Sequence, residues 1–521
     1  MFSEMPAPSI IYSRRLALYS VLVISLGVSF ALVGKQIFFA NWSLIDNWDY
    51  FNWLGPKLHL PISEVWSTLL TKTEVGTGGR FRPTYYFFMI LETSLWGPNV
   101  HLWYLARTVE FGLFIASVWW VLSRFVGLPL GGALTVPFLG LSCWPDTWAR
   151  LGPSEIYGTI SIAVILFGAC GLFGRSGTTV RTLGAMSITG GTILLLGAKE
   201  TFLPIAGLSI ALLLLAAFRG LVHRAIALFL LFAIVAFGVM MLVAVLKIIV
   251  AAGADTNGQS ILLPLLPQVV RDSLFRALAL WMPLYLIAIG GSRAVVLWRG
   301  QDLREWKYAT LAAVALFAFL VAMFVSQSVA YRSVAPLGTR YDFPKVLFTP
   351  VNVGVLACYL GYVLRTYVSD RSLRWLALAT ALIVVPGFYR TQFPSLKQAV
   401  DHNIRVTSSF FSALQSIVSA GKAAPDAPII LEAHGPLSWA YEPAFSLLAY
   451  LHAYGAPNPV SVRVRSKVED RLGELVIAMQ EGSRGFVPLS ESLKRADGAC
   501  ISVGINGDPA PECRGFQVRT E

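Results

Sequence analysis

Charged residues are scarce in this chain. They make up 13% of its 521 positions, against 55% hydrophobic, and the mean hydropathy is +0.64. Soluble globular domains carry roughly 25% charged residues, so an ordinary soluble enzyme is excluded. Acid is scarcer than base, 29 Asp and Glu against 41 Lys and Arg, for a formal net charge of +12. No continuous basic stripe with interleaved aromatics accompanies that excess, which argues against nucleic acid as a partner. Cysteine is rare too, 5 in all. Cys143, Cys170 and Cys358 fall in apolar blocks and read as buried thiols, and no Cys/His spacing suits zinc. Cys500 and Cys513 are a disulfide if their region is extracytoplasmic, and otherwise two free thiols. A small-residue cleavage site is missing after Leu16–Phe39, so this segment reads as a retained first span.

What the chain has is repeated apolar blocks near the ~20 residues that cross about 30 Å of hydrocarbon. Leu16–Phe39, His101–Leu122, Ile156–Phe173, Phe202–Phe218 and Ala225–Ala252 are the clearest. Basic residues gather in short connections after every second block: Arg14 and Arg15, Arg124, Arg175 and Arg181, Arg219 and Arg224, Arg293 to Lys307, Arg365 to Arg374. This is the positive-inside pattern of a multi-pass inner- or plasma-membrane protein with a cytoplasmic N-terminus. Spans are expected near Leu16–Lys35, Leu102–Ser123, Leu128–Cys143, Ile156–Phe173, Leu183–Ala198, Phe202–Phe218, Ala225–Ala252, Ala277–Gly291, Ala309–Ser326, Val346–Leu364 and Leu373–Phe388. That makes about 11 transmembrane helices, an odd number, and leaves the C-terminus extracytoplasmic.

The first outer loop, 36–101, is far longer than most connections. Within it Pro83–Trp96 is apolar but short and contains Glu92, which suits an interfacial or re-entrant helix. Residues 1–391 therefore form the membrane domain. After Phe388 charge, Pro and Ser rise and no block suits a span. Strands at Ala427–Leu431, Val460–Val464 and Ala499–Ile505, with helices at Ser438–Tyr454 and Val468–Met479, make 392–521 a small extracytoplasmic α/β domain. It has no glycine-rich phosphate loop of the required form. His434, Trp439, Tyr441 and Glu442 cluster at one of its junctions, as a sugar-stacking surface or as an aromatic core edge.

Five polar segments fall on the outer side of this topology. Ile45-Asp46-Asn47-Trp48-Asp49-Tyr50 follows the first span. A partly desolvated carboxylate there gains basicity as a general base, while a solvated loop with incidental acids fits the spacing as well. Gly76-Thr77-Gly78-Gly79-Arg80-Phe81-Arg82-Pro83 offers a glycine turn and two guanidinium forks for phosphate, or an anchor at lipid headgroups. Trp144 to Gly158 holds Asp146, Arg150 and Glu155, the last opening a helix, where the helix dipole alone favours an acid. Lys199-Glu200 sits between two apolar blocks, where adjacent charges must pair or face a wet cavity. Arg340-Tyr341-Asp342 precedes a later span, as a phosphate contact or an interfacial anchor. A transporter would instead place polar groups and broken helices near the midplane.

Taken together the chain resembles the GT-C class of integral-membrane glycosyltransferases. The resemblance rests on Ile45-Asp46-Asn47-Trp48-Asp49 after the first span and on Gly79-Arg80-Phe81-Arg82-Pro83. Ala149-Arg150-Leu151-Gly152-Pro153-Ser154-Glu155 is similar to a second acidic motif, and Lys199-Glu200 and Arg340-Tyr341 to later ones. It implies a GT-C-like helical body over Leu16–Phe388 and an inverting transfer from a polyprenyl-phosphate sugar to a glycan, lipid or protein acceptor. Asp46 would be the general base. Asp49 and Glu155 would orient substrates, or with Asp46 bind a divalent ion (Mg or Mn) where one is used. Arg80, Arg82, Lys199 and Arg340 would neutralise the leaving phosphate, with Asp146, Glu200 and Tyr341 lining the site. The acids are split as Asp-Asn-Trp-Asp and not adjacent, a departure from the plainest form of the motif. A transporter or flippase, an O-antigen ligase or polymerase, and a non-catalytic scaffold are the competing readings.

Overall fold

A computed structural model describes residues 14–45, 48–72, 81–174, 177–252, 266–300, 302–331, 333–364, 369–434, 440–465, 471–495, 499–505 and 507–518. The membrane part begins with α1 (Arg14–Val33) and α2 (Lys35–Phe39). The first loop adds α3 (Trp48–Leu54), α4 (Val65–Lys72) and α5 (Pro83–Trp96). There follow α6 (Val100–Val126), α7 (Leu128–Leu139), α8 (Trp144–Trp148), α9 (Ser154–Phe173), α10 (Thr178–Ala198) and α11 (Leu203–Phe218). The rest are α12 (Arg224–Ala252), α13 (Leu266–Trp298), α14 (Leu303–Ala330), α15 (Phe348–Val363) and α16 (Asp370–Ala423). Among the described residues, 10 helices are long and apolar enough to cross a membrane.

The remaining expected span, Leu128–Cys143, is the short one. Its helix, α7, has only 12 residues, about 18 Å at 1.5 Å per residue, and ends just after Pro137 at Gly140. The five-residue α8 continues its course. The Trp119 indole N–H donates to the Leu128 carbonyl (2.9 Å) at the start of α7, and Phe111 stacks on Trp148 (4.7 Å) at the end of α8. The two together run back along α6.

α5 forms over Pro83–Trp96, as expected, with proline in its first turn, where no N–H is needed. It is packed into the protein. Glu92 and Thr93 are buried, and Glu92 meets Arg107 of α6.

The change of composition at Phe388 does not end a helix: α16 runs unbroken for 54 residues, through Pro386 and Pro394, to Ala423. Beyond it lie β1 (Ile429–Ala433), α17 (Tyr441–Ala453), β2 (Val460–Val464), α18 (Arg471–Gln480), α19 (Leu489–Arg495), β3 (Ile501–Ile505) and β4 (Arg514–Val518). The sheet is parallel, in the order β2-β1-β3-β4, with Ile429 opposite both Val460 and Ile501. The fully buried β1 and β3 are its centre and are mostly aliphatic; the Glu432 carboxylate buried in β1 is paired with Arg463 and Arg465. Cys500 and Cys513, just ahead of β3 and β4, are joined in a disulfide. One hydrophobic core is continuous from Trp42, Tyr50 and Phe51 of the first loop, through α6 to α9, to Leu447, Tyr450 and Val503 beyond α16.

Candidate active site

Four of the five polar segments meet at one end of the helices. The start of α5 brings Arg82, the turn from α8 into α9 brings Asp146, Arg150 and Glu155, and the turn from α10 into α11 brings Lys199 and Glu200. The link from α14 to α15 brings Tyr331, Arg340, Tyr341, Asp342 and Lys345. Two glycines permit the close approach. A Cβ on Gly197 would lie 2.2 Å from Thr84 Oγ1, so only glycine lets the end of α10 touch the start of α5. A Cβ on Gly158 would lie 2.4 Å from the Phe202 ring, where α9 meets the α10–α11 turn.

The Lys199 ammonium donates to Glu155, and each side chain is only 1% exposed. Lys199 Nζ also lies 4.6 Å from the centroid of the Tyr341 ring and 5.5 Å from that of Tyr331, so two aromatic faces help hold the cation. Arg82 forms a bidentate fork with Glu200, Nε to Oε2 at 3.0 Å and Nη2 to Oε1 at 2.8 Å. Burial works against the Arg82 charge, but the Glu200 carboxylate outweighs it and raises the guanidinium above its ordinary value. Asp146 accepts from the Arg340 backbone N–H (3.0 Å) and pairs with Arg150 (3.2 Å), tying the α8 turn to the α14–α15 link. That link is clipped internally. Lys345 donates to the carbonyls of Ser333 (3.0 Å) and Ala335 (3.2 Å), and Asp342 accepts from the Gly338 N–H (2.7 Å). Burial, with the nearby Glu155 and Glu200 carboxylates, raises the Tyr331 hydroxyl well above its ordinary value and keeps it neutral.

Asp46 and Arg80 lie outside the described residues. Asp49 sits half-buried on α3. Its neighbour Tyr50 donates to the Leu151 carbonyl (3.3 Å), and Tyr85 donates to the carbonyl of Gly152 (2.9 Å), so the first loop abuts the segment leading to Glu155. Among the described residues no three His, Cys, Asp or Glu side chains gather as metal ligands. Glu155 is already compensated by a buried ammonium.

Sequence reasoning missed a second buried network. The Arg107 guanidinium donates to Glu92 and to Glu110 (2.6 Å), and the Tyr157 hydroxyl donates to Glu92 (2.7 Å). The i, i+3 spacing of Arg107 and Glu110 inside an apolar helix was its one visible signal. It also missed Tyr331 and the Asp342–Lys345 clip. In the C-terminal sheet Tyr441 accepts from Arg484 (2.9 Å) and His434 meets the Asp508 carbonyl (2.9 Å). Trp439 lies outside the described residues.

The cluster sets five cations (Arg82, Arg150, Lys199, Arg340, Lys345) against four carboxylates (Asp146, Glu155, Glu200, Asp342). Its buried members balance, Arg82, Lys199 and Lys345 against Glu155, Glu200 and Asp342, and the excess positive charge lies at the edge, where Arg150 is exposed and Arg340 partly so; cations placed there suit stabilising an anion that develops during a reaction.

No family model matches the chain, and no curated protein matches it. The fold is similar to that of ArnT from Cupriavidus metallidurans. Two solved structures of ArnT, one bound to undecaprenyl phosphate and one in the apo state, each align with a TM-score of 0.43 and 14% identity. They cover 92% of this chain and 90% and 89% of theirs. A likeness of that degree carries no assignment of substrate.

Proposed function

We propose that this multi-pass protein is an inverting glycosyltransferase. It moves a sugar from a polyprenyl-phosphate donor to a cell-envelope glycan, lipid or protein acceptor on the extracytoplasmic face of the inner or plasma membrane. The observation that carries the reading is the convergence of four polar segments, far apart in sequence, into one cluster of buried ion pairs with cations at its edge, at a single end of the apolar helices.

In this reading Asp46 takes the proton from the acceptor hydroxyl as its oxygen attacks the anomeric carbon. The carbon–oxygen bond to the phosphate breaks on the opposite face, and the bond electrons leave with the polyprenyl phosphate. The charge developing there is met by Arg82, Arg340 and Lys199, with Arg80 from the same loop. Glu200 aims the Arg82 fork, and Glu155 keeps Lys199 charged in a dry site. That is a supporting role for Glu155 in place of substrate contact, because its carboxylate is already engaged. Asp49 orients the acceptor, Asp146 holds the Arg340 backbone, and Tyr341 backs Lys199.

Transfer of radiolabelled sugar from a polyprenyl-phosphate donor to membrane acceptors tests this. Arg82→Ala should lower kcat about 10²- to 10³-fold, the usual loss on removing one charge-stabilising donor. Arg82→Lys should rescue little, because an ammonium cannot reproduce the fork. Asp46→Asn should abolish transfer in a folded protein, and full transfer by that variant would sink the assignment. Donor crossing liposome membranes without sugar transfer would favour a flippase instead.

A further inference from the structure

The described residues on either side of the first acidic motif are held from the C-terminal side of the chain. Along α16, Asn403 donates to Gln36 Oε1 (2.8 Å) and to the Tyr104 hydroxyl (3.0 Å). Thr407 Oγ1 accepts from the Asn41 backbone N–H (3.0 Å), and Ser408 donates to the Phe39 carbonyl (3.1 Å). Asn403 and Thr407 are 9% and 0% exposed; the two Asn403 bonds are buried, the Thr407 bond is partly buried and the Ser408 bond is exposed. From α17 the Tyr450 hydroxyl donates to the Ser43 carbonyl (2.8 Å). The Phe51 ring packs 4.3 Å from that of Tyr450 and 5.8 Å from that of Tyr454. The far side of the same segment faces the site: Gln36 donates to the Trp148 carbonyl (3.0 Å), and Tyr50 to that of Leu151.

We propose that α16 and α17 act as a clamp on residues 36–45 and 48–54. Tyr450 and Thr407 are positioning residues that fix α3, and with it Asp49, against the Leu151–Glu155 segment. The C-terminal unit then does more than cap the membrane body, because one wall of the site is fastened by it. A buried polar contact must be replaced when it is lost, so the segment does not drift continuously; it opens. Misplacing a reacting group by about 1 Å costs roughly 10²-fold in rate. This inference rests on the glycosyltransferase reading for its rate effect, but not for the clamp itself.

The test uses the full chain in detergent, with Tyr450→Ala, Tyr450→Phe and the near-isosteric Thr407→Val. Thr407→Val serves if Tyr450→Ala fails to fold. Hydrogen exchange over 39–54 should speed up at least ~10-fold in Tyr450→Ala and Thr407→Val, with the ends of α9 and α10 unchanged. Transfer by these variants should fall in kcat by about 10²-fold, while binding of a short-chain polyprenyl phosphate stays within about 2-fold. Tyr450→Phe keeps the ring contact but loses the bond to Ser43, so its exchange over 39–54 and its kcat should both fall between those of wild type and Tyr450→Ala. Unchanged exchange over 39–54, or a wild-type kcat in a variant whose segment has opened, overturns the proposal. Should wild-type protein transfer no sugar, the glycosyltransferase reading fails, and the exchange result alone still decides the clamp.

Discussion

At one end of the helices Arg82, Glu155 and Lys199 are buried, with Glu200 nearly so, each against a partner of opposite charge. At the other, Arg124, Arg219, Arg224, Arg293, Arg299 and Arg304 stand exposed. Both ends are rich in cations, yet they solve different problems. An exposed arginine keeps its hydration and serves to orient the chain in the bilayer. A buried one has lost that hydration, a cost that only close, well-directed partners offset. Charge kept at the desolvated end is consequently where chemistry is expected, and charge at the solvated end is not.

Three experiments sharpen or break that contrast. The largest effect is expected from Lys199→Met, which leaves Glu155 buried without its cation. It should cost roughly 3–5 kcal/mol of stability, while Lys199→Met with Glu155→Met should recover most of the loss. Denaturant unfolding in detergent measures both, and an unchanged midpoint in the single variant would mean that the pair is solvated after all. Next, replacing Cys500 and Cys513 with serine removes a link that closes a loop of sequence separation 13. The C-terminal sheet should lose about 2–4 kcal/mol, read by limited proteolysis of β3 and β4, with Tyr450 as the route by which damage reaches the site. The smallest effect belongs to Arg219→Ala with Arg224→Ala, which should shift stability by no more than about 0.5 kcal/mol and leave transfer unchanged. A large loss there would erase the difference between the two ends.

Much of the fold was legible because bilayer thickness dictates the length of apolar runs. The ten long helices, the short α5 and three of the four strands fall where the runs place them. The second half of α16 was not legible. After Phe388 its composition is polar and includes Pro394, and its helicity is supported by packing against α1, α2 and α17, where Asn403 and Thr407 find partners hundreds of residues away. Strand β4 is exposed along most of its length and carries no aliphatic run. At the site, the polar segments were visible one by one but their pairings were not. Arg82 and Glu200 are 118 residues apart, and Glu155 and Lys199 are 44 apart. No local spacing records such partners. Glu92 was seen only as an acid in a short apolar stretch, since its meaning depends on Arg107 from another helix.

At 1.5 Å per residue α16 measures about 81 Å, well over twice the hydrocarbon thickness. It therefore works as a ruler and a torsion rod at once. One residue inserted within its Leu376–Val385 stretch would lift the C-terminal half by about 1.5 Å and turn it by about 100°. Asn403 and Thr407 would swing away from Gln36 and Asn41 while the other spans stayed in place. The register of the last helix in the bilayer thus sets where the far sheet stands and which way it faces.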